Sequence, residues 1–118
     1  MLVVDDNADA ASTLAALLNS MGHETRTAFS GVEALERLQT FEPKVVLLDI
    51  GLPVMNGYEL AQRLRDNGNL KHARLIALTG YGQSEDRQRA LAEGFEEHLV
   101  KPVDVQTLER ILSGSLRM

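Results

Sequence analysis

The chain contains no cysteine, so disulfides and thiolate metal sites are excluded, and a reducing cytoplasm is compatible with it. Tryptophan is also absent, and aromatic residues make up only 4% of the sequence. Positive charge is the scarcer sign: 12 lysines and arginines face 17 acids, for a formal net charge of −5. That balance disfavours nonspecific binding to nucleic acid or anionic membranes. There is no basic run, and no stretch interleaves basic residues with aromatics. No apolar run approaches the length needed to span a bilayer. No signal peptide is visible in the chain either, because Asp5 and Asp6 break the first apolar run almost at once. Internal repeats, linkers and low-complexity segments are missing too. These absences predict a cytoplasmic protein with no direct contact to nucleic acid or membrane.

What is present fits one domain over residues 1–118, with 44% hydrophobic and 25% charged residues, close to the globular average. Short aliphatic runs alternate with amphipathic stretches. Leu2-Val3-Val4 reads as a first strand. Leu14, Leu18 and Met21 then share a helical stripe with Leu17 beside it, and Gly22 reads as the stop. A half-polar strand is predicted around Glu24 to Ala28. Ser30 and Glu33 form a capping box that opens a second helix, with Val32, Leu35 and Leu38 expected on its inward face. Val45-Val46-Leu47-Leu48 is apolar at every residue, as in a strand covered on both sides. A loop from Asp49 to Asn56 leads to a third helix carrying Leu60, Ala61 and Leu64. Leu75 to Leu78 reads as the fourth strand, and Ser84 starts a fourth helix ending at Gly94, whose thin apolar face (Ala90, Leu91) predicts loose packing. His98 to Val100 is a short fifth strand, and Asp104 caps a fifth helix with Leu108, Ile111 and Leu112 inward.

Five β-α units in this order predict an α/β doubly wound domain of parallel strands with helices on both faces. In such sheets ligands bind outside the carboxyl ends of the strands. Asp5 and Asp6 follow the first strand, Asp49 ends the third, Thr79 ends the fourth and Lys101 follows the fifth, so all five gather at that edge. Asp5 could instead merely cap the first helix, and Asp49, Thr79 and Lys101 taken singly would be ordinary strand-end residues. Together they form a constellation. Three clustered carboxylates are costly unless a cation sits among them, and an all-oxygen set suits Mg²⁺. Ca²⁺ is possible in principle, although no loop has the acidic spacing of a dedicated calcium site. A carboxylate beside Mg²⁺ can attack a phosphoryl group and become an acyl phosphate. Lys101 would supply positive charge to the phosphoryl oxygens and Thr79 a hydroxyl donor.

The segments "VVDDN", "VVLLDIGLPVMNGYE", "LIALTG" and "LVKP" resemble, in this order and at these separations, the receiver domain of two-component response regulators. The likeness spans essentially the whole chain. It implies a flavodoxin-like five-stranded parallel sheet in order 2-1-3-4-5. It also implies that Asp49 accepts a phosphoryl group from a histidine kinase or histidine phosphotransfer protein. Asp5, Asp6, Asp49 and the backbone carbonyl of Gly51 would hold Mg²⁺ (or Mn²⁺), with Asp5 acting through water. Thr79, with Gly80 beside it, and Lys101 would engage the phosphate, and a cis bond is implied before Pro102. The family usually has Tyr or Phe three residues before the lysine, where this chain has His98, so His98 is a candidate switch residue that can also read as a half-buried surface histidine. Gly51 places no side chain beside the phosphate, which bears on how long the phosphoryl group lasts. Tyr81 is expected near the site, Met55 in loop packing, and His23 and His72 on the surface.

Phosphorylation would shift the face made by the fourth helix, fifth strand and fifth helix, which would control a partner or output domain or support a weak homodimer of an otherwise monomeric chain. Such a module is not an enzyme beyond its own phosphorylation and dephosphorylation. The alternative is a Mg²⁺-dependent aspartyl-phosphate hydrolase or phosphotransferase acting on small substrates. Those enzymes typically carry Asp-x-Asp after the first strand and a cap, whereas here the acids are adjacent and no insertion is long enough. A flavin or nucleotide module would need a Gly-rich or Ser/Thr-rich cradle where this chain has acids. Both ends look trimmed to a domain, and the stretch from Leu78 to Asp104 is similar to C-terminal receivers of bacterial hybrid sensor histidine kinases.

Overall fold

Leu2–Val4 forms strand β1, and all three side chains are buried. The reason is its position inside a five-stranded sheet, in order β2-β1-β3-β4-β5. The computed structural model describes residues 1–50, 57–66, 73–79, 95–101 and 103–114. Within them α1 (Ala8–Ser20) follows β1, and β2 (Arg26–Ala28) leads to α2 (Gly31–Arg37). Then come β3 (Val45–Asp49), α3 (Gly57–Asp66), β4 (Arg74–Thr79), β5 (Glu97–Val100) and α4 (Val105–Gly114). Every strand pair is parallel: Val3 lies opposite Thr27 on one side and Leu47 on the other, Leu47 opposite Ile76, and Leu78 opposite Leu99. The predicted sheet order is therefore the observed one.

Alternate side chains of each strand serve opposite layers. Val4, Val46, Leu48 and Ala77 pack with Ala34 of α2 and with Leu60 and Ala61 of α3. Val3, Leu47, Ile76 and Leu78 pack with Leu14 and Leu18 of α1 and with Leu108 and Leu112 of α4. Double coverage is why β3 contains no polar residue before Asp49.

Local signals set the helix ends. The first helix is capped by Asn7, not Asp5: the Asn7 side-chain oxygen accepts from the Ala10 N–H at 3.1 Å. At its other end Gly22 has φ of 92°, the left-handed conformation that favours glycine, and the His23 N–H reaches back to the Leu18 carbonyl at 3.1 Å. Ser30 accepts from the Glu33 N–H at 3.1 Å, as the capping box predicts. Asp104 accepts from the Thr107 N–H at 3.2 Å and starts α4.

Three expectations need correction. Val32 is 59% exposed and does not share the inward face of α2, which is made by Gly31, Ala34 and Leu38, with Leu35 only partly buried at its flank. One residue along a helix is about 100° of rotation, so choosing Gly31 as the start of the stripe turns Val32 outward. The second strand begins at Arg26 rather than Glu24, and the fifth at Glu97 rather than His98.

Candidate functional site

Four of the five strands deliver polar residues to their carboxyl ends, β2 being the exception, and backbone pairing carries on past the strands to fix them. The Asp5 N–H donates to the Ala28 carbonyl at 3.0 Å, and the Ile50 N–H, just after Asp49, donates to that of Leu78 at 3.2 Å. The Lys101 N–H donates to the Thr79 carbonyl at 2.8 Å. Asp5, Asp49 and Thr79 are the buried polar residues among those described.

Lys101 joins the two buried acids. Its Nζ lies 2.7 Å from Asp5 Oδ2 and 2.9 Å from Asp49 Oδ2. The other Asp5 oxygen accepts the Asn7 N–H at 3.0 Å. Asp6 is exposed, yet one carboxylate oxygen from each of Asp5, Asp6 and Asp49 falls within 4.8 Å of the others. Across these four groups three negative charges face one positive charge. An oxygen-only cluster with unbalanced negative charge fits a hard divalent cation such as Mg²⁺, and Asp5, Asp6 and Asp49 are the residues that would hold it. A groove of about 520 Å³ opens beside the acids, bounded by Leu14 and Leu17 of α1 and by Val103, with Asp5 and Lys101 in its wall.

Burial pushes the Asp5 carboxyl above its usual range, and this outweighs the Lys101 and Asn7 hydrogen bonds that favour the ionised form. For Lys101 burial acts downward, but the bonds to Asp5 and Asp49 together hold its ammonium above the usual lysine value. The Asp5 shift has a testable consequence for the chelated protein. A folded pKa above the ordinary 3.8 means that the native state binds the proton more tightly than the unfolded chain. Ionised Asp5 thus costs stability at neutral pH, and this cost disappears as pH falls through the folded pKa toward 3.8. Asp5→Asn in EDTA should therefore be more stable than wild type at pH 7. The difference should shrink on acidification, as read from urea unfolding followed by circular dichroism.

His98 faces the core only in part. It pairs in register with Ala77 of β4, and its side chain is 17% exposed. Its Nδ1 is buried without a hydrogen-bond partner among the described residues: Glu97 Oε1 is 3.9 Å away, too far to serve as one. Gly51, Gly80 and Pro102 lie outside the described residues, as do Met55, His72, Tyr81 and the predicted helix over 84–94. The contact of Lys101 with Asp5 and the double role of Asn7 were missed from the sequence. For Asn7 the signal was available, since an Asn directly before Ala8 at the start of an apolar-periodic run is a strong cap candidate.

A doubly wound sheet in order 2-1-3-4-5, with clustered acids and a lysine at its carboxyl edge, defines a flavodoxin-like domain with an acidic edge. Residues 1–113 match the family model described as "Response regulator receiver domain", and the chain belongs to that family. It is 39% identical over 112 residues to an uncharacterized 14.6 kDa protein of Leptolyngbya boryana, covering 95% of this chain and 86% of that one. It is 32% identical to the polar-differentiation response regulator DivK of Brucella ovis, over 89% of this chain and 85% of the relative. Among solved structures, the chemotaxis protein CheY4 of Vibrio cholerae superposes with a TM-score of 0.88 at 32% identity, covering 96% of this chain and 94% of that one. Receiver domains are phosphoacceptors of two-component signalling rather than classical enzymes, and they work with histidine kinases or phosphotransfer proteins. No helix among the described residues is long and apolar enough to cross a membrane.

Proposed function

We propose that Asp49 is the phosphoacceptor of this chain and takes its phosphoryl group from a phosphohistidine of a histidine kinase or histidine phosphotransfer protein. The observation that carries this reading is the Lys101 ammonium, held 2.9 Å from Asp49 Oδ2 at the open carboxyl edge of the sheet. In the transfer an Asp49 carboxylate oxygen attacks phosphorus and the phosphorus–nitrogen bond to the imidazole breaks. The ring nitrogen keeps the bonding electrons and takes a proton from solvent, and an acyl phosphate remains on Asp49. Mg²⁺, or Mn²⁺ in its place, would be held by Asp5, Asp6 and Asp49, with the Gly51 carbonyl as a further ligand, and when bound it would shield the incoming anion from the remaining acids.

Lys101 is already placed to follow the new charge, because its Nζ needs only to exchange carboxylate oxygens for phosphoryl oxygens. Thr79, with Gly80 after it, ends the neighbouring strand and would contribute its hydroxyl to the same group. The added dianion supplies differential interaction, which is what shifts a two-state equilibrium. The face it would bias includes β5 and α4, with His98 of β5 as the side chain that would change position. That face would control a partner or an output domain, or pair two copies weakly, in a cytoplasmic chain.

The direct test uses acetyl phosphate as a small phosphodonor. With Mg²⁺, mass spectrometry should find one phosphoryl group on the peptide containing Asp49, and with EDTA none. A label on another residue, or equal labelling in EDTA, would contradict the assignment.

A further inference from the structure

Asn7 belongs to neither the acid cluster nor the lysine contacts, yet it meets the acid pair on one side and the first helix on the other. Its side-chain Oδ1 accepts from the Ala10 N–H at 3.1 Å, and its carbonyl accepts from the Ala11 N–H at 3.0 Å. These bonds satisfy two donors of the first turn of α1 and hold residue 7 in an extended conformation, with φ of −82° and ψ of 102°. In that conformation the backbone N–H of Asn7 donates back to Asp5 Oδ1 at 3.0 Å.

We infer that Asn7 is a positioning residue for the Asp5–Asp6 pair: its cap on α1 fixes the turn that aims both carboxylates. The inference rests on the proposed divalent-cation site. Asp5 is tied before the turn by its N–H to Ala28 and after it by the Asn7 N–H. Asp6 sits between these anchors and has no burial of its own to hold it. An alanine at position 7 keeps the backbone N–H but loses the cap, so the turn is free to move and a carboxylate aimed through it loses its orientation. Serine keeps the cap. Replacing a group that orients metal ligands typically weakens metal binding by about 10- to 100-fold.

Ser30 provides the control. It caps α2 through the Glu33 N–H at 3.1 Å, so Ser30→Ala removes a comparable helix cap without touching the Asp5–Asp6 turn. Mn²⁺ titration, with the free ion read by electron paramagnetic resonance and Mg²⁺ as competitor, measures affinity, and urea unfolding in EDTA measures stability. Asn7→Ala should bind Mn²⁺ about tenfold more weakly. Asn7→Ser should return to within about twofold of wild type, since Ser and Asn cap nearly equally. Ser30→Ala should lose similar stability and keep wild-type affinity. If Asn7→Ala binds as wild type does, or if both alanine variants weaken binding equally, the positioning role is overturned while the cation site stands. Failure of the wild-type chain to bind Mn²⁺ would overturn the cation site and this role together.

Discussion

Asp49→Asn is expected to reduce phosphodonor labelling to background while leaving the domain folded. Asparagine has nearly the shape of aspartate, but its amide oxygen is not an anionic nucleophile and cannot form a stable acyl phosphate. The fold should tolerate the change because Lys101 keeps its shorter contact, 2.7 Å to Asp5 Oδ2. One negative charge also leaves a cluster in which three acids share one ammonium, so like-charge repulsion falls as an attraction is lost. Intact-mass measurement after incubation with acetyl phosphate and Mg²⁺ should show one added phosphoryl group on wild type and none on the variant. Circular dichroism should show the same helical content for both. A variant labelled as fully as wild type would mean that another side chain is the acceptor.

The sheet was legible in the sequence because its signals are local. Val45 to Leu48 could be apolar throughout only if both faces were covered, and Gly22, Ser30 and Asp104 marked helix ends by chemistry confined to a few residues. The gathering of Asp5, Asp49, Thr79 and Lys101 followed from topology, since parallel strands bring all their carboxyl ends to one edge. What stayed hidden depends on distances across the fold. Lys101 meets Asp49 from 52 positions away, and the sequence spacing cannot say that its ammonium also reaches Asp5. Arg74 and Glu96 likewise pair at 2.6 Å across the starts of β4 and β5, a contact set by strand register alone. Val32 was misplaced for a different reason. Its hydrophobicity suggested burial, but Gly31, Ala34 and Leu38 occupy the inward stripe, and an exposed valine is ordinary on a protein surface.

Lys101→Met should destabilise the metal-free protein by roughly 3 kcal/mol, the lower end of the range for breaking a buried ion pair. The lower end applies because the lysine side chain stays 28% exposed and solvent screens part of its charge. Methionine replaces much of the aliphatic stem, so the loss is chiefly electrostatic. It leaves Asp5, whose ionised form burial already disfavours, facing Asp49 without the ammonium that bridged them. The pH dependence follows from the direction of the lysine shift. With its folded pKa raised above 10.5, the lysine contribution is fully present below that value and fades as pH climbs through the folded pKa. The wild-type advantage should therefore hold from pH 7 to 9 and shrink in stronger alkali. Divalent cation should partly rescue the variant: a ligand at a hundred times its Kd adds about 2.7 kcal/mol. Wild type should gain less from the same concentration, because there the ion must compete with an ammonium already seated on two of the same carboxylates. Urea unfolding of both proteins in EDTA and in Mg²⁺ supplies the four midpoints needed. Equal stability of the two proteins in EDTA would show that Lys101 does not compensate the acids, and equal gains in Mg²⁺ would show that lysine and cation do not compete.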